Sequence, residues 1–178
     1  MAPFPPEPRG RIEVPAALGE RGFSLRALRV DDLLWLRDLY ASTRAEEMAP
    51  VPWPEGTKRS FLDQQFALQH AHYIAHYGDA DFLALEHDGR PAGRYYLQRT
   101  APSHLIVDIC LFPALRGSGV GAALIRASQV EAAALGFGMH LSVACDNTRA
   151  QQLYQRLGFM VAGEQGPYIA MNWTPALS

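Results

Sequence analysis

The sequence lacks most of the features that mark secreted and membrane proteins. Only two cysteines, Cys110 and Cys145, occur among its 178 residues, and both lie in apolar, strand-like stretches, so no disulfide framework is predicted. No stretch approaches the roughly 20 apolar residues of a membrane span, and the first residues lack the charged and apolar regions of a secretory signal. We therefore expect no membrane partner and a cytoplasmic location.

Charge is equally sparse and is balanced in sign. Sixteen Lys and Arg face eighteen Asp and Glu, which gives a formal net charge of −2, and no long basic run could follow a phosphate backbone. Nucleic acid is therefore not an expected partner. Apolar residues make up 48% of the chain and charged residues 19%, which is typical of an ordinary globular domain and excludes a disordered or fibrous chain.

Several common catalytic signatures are missing as well. No G-x-S-x-G elbow, Walker lysine or paired C-x-x-C occurs, which excludes the usual serine hydrolases, P-loop proteins and zinc ribbons. His70, His72 and His76 lie on one predicted helix, and the last two have the i, i+4 spacing of metal ligands. Without a carboxylate or cysteine ligand to complete the set, we predict no metal site.

The length of the chain suits one domain with a sizeable core. Residues 1–20 are predicted to be a proline-rich lead-in, because proline lacks an amide donor and fixes the chain angle. This lead-in is expected to be mobile or to lie on the surface. Residues 21–178 are predicted to form the single folded domain.

The hydrophobic pattern of the domain switches between strand and helix periods. We predict strands at 23–28, 81–87, 92–98, 105–112, 139–144, 159–162 and 168–173. We predict helices from 31 to 40, from 57 or 60 to 77, from 120 to 135 and from 150 to 157. The result is an α/β fold with a mixed, mainly antiparallel sheet of about six or seven strands and helices on both faces.

Three local details accompany this pattern. Asp31 is expected to cap the first long helix, and residues 88–91 are expected to form a hairpin turn because they begin with Asp-Gly. The third detail is the inward face of the helix at 120–135, which is predicted to carry Val120, Ala123, Leu124, Ala127, Val130 and Ala134.

A glycine-rich segment, Arg116-Gly117-Ser118-Gly119-Val120-Gly121, lies between the strand at 105–112 and the helix at 120–135. Glycines at that point can expose consecutive amide groups at a helix N-terminus, where the helix dipole adds about half a positive charge. Such a terminus binds anions, and Arg116 can add a charge-assisted contact to a pyrophosphate. The segment is therefore predicted to hold a phosphorylated ligand.

Two segments together resemble the GNAT acetyltransferase superfamily. The R-x-x-G-x-G spacing after a strand is similar to that family's acyl-CoA-binding motif, and Leu111-Phe112-Pro113 precedes it as the family's strand end would. The stretch 147–159, NTRAQQLYQRLGF, is similar to the family's downstream segment. The order and separation of the two segments carry the resemblance, which covers about residues 81–173.

The resemblance implies an N-acetyltransferase that moves an acetyl or other acyl group from acetyl-CoA to a primary amine of a small molecule or peptide, by direct attack. It also implies that the central strands splay apart and admit pantetheine. The residues implied to bind the cosubstrate are Leu111, Phe112, Arg116, Gly117, Ser118, Gly119, Val120, Gly121, Asn147 and Tyr154. Asn147 could instead cap the helix beside it. A homodimer is a possible assembly.

The glycine run has a second interpretation. The spacing Gly117-x-Gly119-x-x-Ala122, with Asp146 downstream, also fits the dinucleotide-binding fingerprint. Five residues, including Pro113, separate Leu111 from Gly117, whereas the fingerprint's glycine follows its strand closely. Too little chain remains for further βα units, so acyl-CoA is favoured over a dinucleotide.

Amine attack on a thioester needs a base for the amine and benefits from an acid for the sulfur. By analogy with the family's tyrosine, Tyr154 is the predicted acid, although its helical spacing fits a packing residue equally well. Asp108 is the predicted base, because a carboxylate in an apolar strand is costly to bury unless it is hydrogen-bonded or functional. It could instead be a structural carboxylate bonded to backbone or to an arginine. Glu86, Tyr95 and Tyr96 are alternatives.

The acceptor site is predicted between the two N-terminal helices and the hairpin, where this family varies. The polar and aromatic residues there are Arg44, Glu46, Glu47, Trp53, Gln64, Gln65 and His72. An alternative of a different class is a protein that binds acyl-CoA as a sensor or interaction module without turnover.

Overall fold

The computed structural model describes residues 2–5 and 13–176; the parts of the predicted lead-in at residues 1 and 6–12 lie outside them. The helices are α1 (Ala16–Gly19), α2 (Leu33–Thr43), α3 (Ala45–Met48), α4 (Glu55–His76), α5 (Val120–Ala134) and α6 (Thr148–Arg156). The strands are β1 (Phe23–Ala27), β2 (Asp81–His87), β3 (Arg90–Gln98), β4 (Ser103–Leu111), β5 (Gly138–Ala144), β6 (Met160–Gln165) and β7 (Tyr168–Trp173). None of the described helices is long and apolar enough to cross a membrane.

The seven strands form one sheet in the order β1-β2-β3-β4-β5-β7-β6. Neighbouring strands pair antiparallel, except that β4 and β5 pair parallel. A parallel pair needs a long crossover connection, and α5 supplies it. The predicted mixed, mainly antiparallel sheet is thereby confirmed.

The two central strands separate part of the way along their length. The ladder between β4 and β5 runs from the pair Ser103 and Gly138 to the pair Ile106 and Leu141, while β4 continues to Leu111. On its other side, β4 carries one extra residue, Val107, because Tyr96 pairs with Asp108 and Leu97 pairs with Ile106. Such a bulge bends its strand. A gap therefore opens between the ends of β4 and β5, as the resemblance implied.

Two hydrophobic clusters cover the two faces of the sheet. On one face, α5 and α6 pack through residues such as Leu124, Ile125 and Tyr154. On the other face, α2 and α4 pack through residues such as Leu36 and Phe66. Burying one such side chain stabilises a fold by about 1.5 to 3 kcal/mol. The prediction of helices on both faces is confirmed.

Part of the predicted lead-in contacts the domain. Leu18 of α1 belongs to the cluster under α5, and the ring of Phe4 lies 4.9 Å from that of His70 and 5.8 Å from that of Phe82. The His70 Nε2 group donates to the carbonyl oxygen of Ala2 at 2.7 Å. The boundary at residue 20 stays a prediction.

Two local predictions were wrong in detail. Asp32, rather than Asp31, holds the N-cap position of α2, where its carboxylate accepts from the backbone of Arg29. The hairpin turn consists of Asp88 and Gly89 alone, with φ of 50° and 73°, and β3 begins at the next residue. Positive φ at both positions is the geometry that the Asp-Gly pair favours in a two-residue hairpin.

The buried face of α5 also differs from the prediction. Val130 is 71% exposed and Ala134 is exposed, whereas Ser128 and Gln129 are buried. The Ser128 hydroxyl lies 2.8 Å from that of Tyr95, and the Gln129 amide donates to the backbone at 2.8 Å. These partners come from distant parts of the chain, so a pattern of apolar residues could not reveal them.

Candidate functional site

The glycine loop before α5 has an open, amide-rich surface. Gly117 and Gly119 have φ of 83° and 84°, a conformation that residues with a Cβ rarely adopt. Gly119 is the N-cap residue, and its carbonyl accepts the first bond of the helix from Ala123. The amides of residues 120–122, which precede Ala123, therefore have no acceptor within the helix. A Cβ at Gly119 would meet no atom within 4 Å, so the loop is free for a phosphate to approach.

Three arginines surround this loop. Arg116 turns back to the strand end, where its Nε donates to the Leu111 carbonyl at 3.0 Å. An Nη of Arg149 lies 3.1 Å from the Cβ position that a side chain at Gly117 would have, and an Nη of Arg21 lies 3.4 Å from the Ser118 carbonyl oxygen. Sequence reasoning missed Arg149, although it stands inside the second matched segment, and no sequence signal indicated Arg21. The positive charge suits a pyrophosphate.

Only one of the two predicted amides at the strand end faces the gap. The Phe112 amide donates to the Ala92 carbonyl of β3 at 3.0 Å. Since backbone groups of successive strand residues point to opposite sides, the Leu111 amide points away from β3, toward the gap. The strand end can thus offer one amide to an extended ligand chain.

Tyr154 is buried, and its phenol keeps its proton. It lies on α6 at 8% exposure, and its ring packs edge-on against Phe159 at 5.9 Å. Burial, with a smaller effect from the negative charge of Asp108, raises the pKa of Tyr154 to about 12. The phenol therefore stays neutral at physiological pH and can donate a proton. At the start of the same helix, Asn147 accepts from the Ala150 amide at 3.1 Å, which is the capping contact.

Asp108 is held by two hydrogen bonds that end on the same oxygen. Its Oδ2 accepts from Arg94 at 2.6 Å and from the Tyr73 hydroxyl at 3.1 Å, and its side chain is 14% exposed. The same Nη2 of Arg94 also donates to Gln69 at 2.7 Å. Sequence reasoning allowed for an arginine partner but did not identify Arg94, Tyr73 or Gln69.

The three alternative bases, Glu86, Tyr95 and Tyr96, are engaged in other contacts. Glu86 pairs with Arg26 at 2.7 Å, Tyr95 bonds Ser128 under α5, and Tyr96 is buried between the sheet and α4. Burial raises the pKa of Tyr95 and of Tyr96 above the usual tyrosine value, so neither phenol ionises readily to act as a base. Asp108 is the carboxylate that remains beside the gap.

The residues predicted for the acceptor do not form one site. Arg44, Glu47 and Gln65 share a small cavity of about 100 Å³ with neighbouring apolar side chains. Trp53 packs against Phe61, a lining residue of that cavity, with ring centroids 5.5 Å apart. Glu46, Gln64 and His72 are exposed and do not line it.

Two of the histidines on α4, His72 and His76, contact each other. The rings of His72 and His76 lie 4.1 Å apart, and a ring nitrogen of His76 donates to the His72 carbonyl at 2.9 Å. Over residues 2–5 and 13–176, no group of three His, Cys, Asp or Glu side chains could hold a metal ion.

Comparison with known proteins gives one family. Residues 36–159, more than half of the chain, match the model of the Acetyltransferase (GNAT) family. Over 156 residues, the chain is 29% identical to a Bacillus subtilis (strain 168) protein that carries the name ribosomal-protein-bS18-alanine N-acetyltransferase. That match covers 86% of this chain and 91% of the relative.

Solved structures share the fold. The PaiA N-acetyltransferase of Thermoplasma acidophilum, solved with coenzyme A, superposes with a TM-score of 0.64 at 19% identity, covering 86% of this chain and 99% of that one. The ribosomal-protein-S18-alanine N-acetyltransferase of Escherichia coli gives 0.56 at 20% identity, with 88% and 96% covered. The sensor alternative is not favoured by these relatives. The chain belongs to the acetyltransferase (GNAT) family, and it is an acyl-CoA-dependent N-acetyltransferase that uses acetyl-CoA.

Proposed function

We propose that this enzyme acetylates the α-amine of a protein or peptide N-terminus, and that transfer takes place in the gap between β4 and β5. One observation carries the proposal: the gap opens after Ile106, and Asp108, two residues further, lies close enough to Tyr154 for its charge to raise that pKa. A carboxylate and a protonated phenol at one opening are the two groups that the reaction needs.

The glycine loop and the strand end would hold acetyl-CoA. The amides at the start of α5, together with Arg149 and Arg21, suit the pyrophosphate, as anions bind helix N-termini and guanidinium groups. The Leu111 amide suits the extended pantetheine chain. The thioester then lies in the gap, within reach of groups from β4 and α6.

The proposed reaction is a single displacement. The amine nitrogen attacks the thioester carbonyl, so a C–N bond forms and the C–S bond breaks. The proton of the amine passes to Asp108, directly or through water, and Tyr154 gives its proton to the departing sulfur. A covalent route through Cys110 is disfavoured, because burial raises the pKa of that thiol to about 11 and the thiol is a poor nucleophile.

The names of the relatives support a protein N-terminus as the acceptor. The Bacillus subtilis relative and the Escherichia coli structure are both named for the alanine of a ribosomal protein. A further structure with a TM-score of 0.56 is named a ribosomal L7/L12 alpha-N-protein acetyltransferase. We infer the same chemical class of acceptor, an N-terminal α-amine, for this enzyme.

The stripe of polar residues along α4 offers a route for the peptide. Gln65, Gln69 and Tyr73 stand at i, i+4 and i+8, so they lie on one face of the helix. From Tyr73, beside Asp108, to Gln65, at the small cavity of Arg44 and Glu47, the helix rises about 12 Å. An extended chain covers that length in about four residues.

A peptide panel tests this function. We expect acetylation of six-residue peptides that have a free α-amine, and no acetylation of the same peptides when the α-amine is blocked and a lysine is present. We also expect a lower KM for six-residue than for two-residue acceptors, because only the longer ones reach Gln65. Mass spectrometry locates the acetyl group. Equal modification of the lysine side chain, or equal KM at both lengths, would contradict the proposal.

A further inference from the structure

Arg94 is a buried charge in the middle of the sheet. It lies on β3 at 4% exposure, and its guanidinium stands 5.3 Å from the ring of Tyr96 and 6.0 Å from that of Tyr73. Arginine is rarely buried to this extent unless it is paired. Its Nη2 donates both to Asp108 and to Gln69, so Asp108 supplies the compensating charge and Gln69 a second hydrogen bond to the same nitrogen.

The position of Arg94 relative to Asp108 follows from the strand register. Tyr96 pairs with Asp108, and Arg94 pairs with Cys110, so alternate residues of β3 and β4 point to the same face of the sheet, toward α4. Tyr73 of α4 donates to the oxygen that Arg94 contacts. The Asp108 carboxylate is thus fixed by one donor from the neighbouring strand and one from the covering helix.

Stability alone does not account for this arrangement. A buried ion pair in a protein is often no more stabilising than apolar side chains of similar volume. The pair lies where β4 has its extra residue and leaves β5, which is where the proposed transfer takes place. Both donors end on Oδ2, and among residues 2–5 and 13–176 no hydrogen bond to Oδ1 is found.

We propose that Arg94 is a positioning residue: through Oδ2 it fixes the Asp108 carboxylate so that Oδ1 takes the proton of the acceptor amine. Gln69 holds the guanidinium in place, and Tyr73 supplies the second donor. The inference rests on the proposed role of Asp108 as the base.

The test is a double-mutant cycle on the full chain, with Arg94→Met, Asp108→Asn and the double variant. For Arg94→Met, we expect kcat to fall about tenfold or more, while the Kd for acetyl-CoA changes less than about twofold. Because Arg94 acts through Asp108, the double variant is expected to turn over no more slowly than Asp108→Asn alone. If the loss of kcat in the double variant equals the product of the two single losses, the inference is overturned.

Arg26→Met is a matched control. Arg26 also lies on a strand and pairs with a buried aspartate, Asp32, at 2.7 Å, but it stands on β1, three strands away from β4. We expect this variant to lose thermal stability and to keep the parental kcat. An equal loss of kcat in Arg26→Met and Arg94→Met would mean that breaking any such pair slows the enzyme, and would overturn the inference.

The two proposals fail in different ways. If Asp108→Asn keeps the parental kcat, the role of Asp108 as the base is wrong. If Asp108→Asn is slow and folded Arg94→Met is not, only the positioning role is wrong. Should Arg94→Met not fold, Tyr73→Phe removes the other donor to Oδ2 while keeping the ring; a several-fold loss of kcat with unchanged acetyl-CoA affinity supports the inference, and an unchanged kcat overturns it.

Discussion

The surroundings of Tyr154 raise the pKa of its phenol and so keep it able to donate a proton. Its pKa of about 12 keeps the phenol protonated at a pH where an α-amine, with a pKa of about 7.7 to 8.0, is largely deprotonated. A donor of this pKa is a weak acid, and a thiolate with a pKa of about 8.5 is already a tolerable leaving group. General acid catalysis by Tyr154 should therefore contribute at the low end of its usual range.

Replacing Tyr154 with phenylalanine measures that contribution. The change keeps the ring and its contact with Phe159 but removes the proton. We expect kcat to fall roughly ten- to hundredfold, with little change in thermal stability or in acetyl-CoA affinity. In the parent enzyme, loss of the Tyr154 proton should not lower kcat between about pH 7 and 10, because its pKa lies higher. Equal turnover of variant and parent at every pH would make Tyr154 a packing residue.

At the scale of the residue, motif positions were predictable and their partners were not. Tyr154 and Gly119 stand at fixed places in the two matched segments, and Asp108 is a charge in an apolar strand. Arg94 is also a charge within a predicted strand, but its pairing with Asp108 and Gln69 forms only when β3, β4 and α4 come together. The sequence could therefore indicate a candidate base but not what holds it.

The glycine loop and α5 are the elements on which cosubstrate binding depends. A strand that ends at Leu111, a turn at Pro113–Leu115 and two glycines with positive φ lead the chain into the helix. In this conformation the first amides of α5 point outward. A residue with a Cβ at Gly117 or Gly119 would adopt it only at a cost of roughly 1 to 2 kcal/mol.

The variant Gly119→Glu tests the loop. It places a carboxylate where the pyrophosphate should lie, so we expect most of the acetyl-CoA affinity to be lost in calorimetric titration of a folded protein. Gly136→Glu is the matched control, because Gly136 has a φ of 71°, has no atom within 4 Å of its Cβ position and follows the far end of α5. It should show a comparable loss of stability with parental affinity. Parental affinity in folded Gly119→Glu would exclude the loop as the pyrophosphate site.

At the scale of the element, the type and approximate bounds of the long segments were predictable, because their hydrophobic periods differ. The orientation of α5 was not, since Ser128 and Gln129 are buried through bonds to distant groups. The hairpin turn was placed correctly by its Asp-Gly pair and was only too long by two residues.

The gap between β4 and β5 belongs to the whole molecule. It depends on one parallel pair in an otherwise antiparallel sheet, on the crossover through α5 and on the bulge in β4. Residue patterns predict the strands but not where a ladder stops, and the resemblance supplied that part. The predicted acceptor residues were divided because sequence neighbours face different ways: Gln65 lines the small cavity, whereas Gln64, the residue before it on α4, is exposed.

One measurement tests the central claim of direct transfer most closely. The enzyme is mixed with acetyl-CoA, with and without a six-residue peptide that has a free α-amine, and released coenzyme A, peptide mass and intact protein mass are followed together. We expect one acetylated peptide for each coenzyme A released, and an unmodified protein when the peptide is absent. An acetylated protein that forms from acetyl-CoA alone and then passes its acetyl group to the peptide would contradict direct attack.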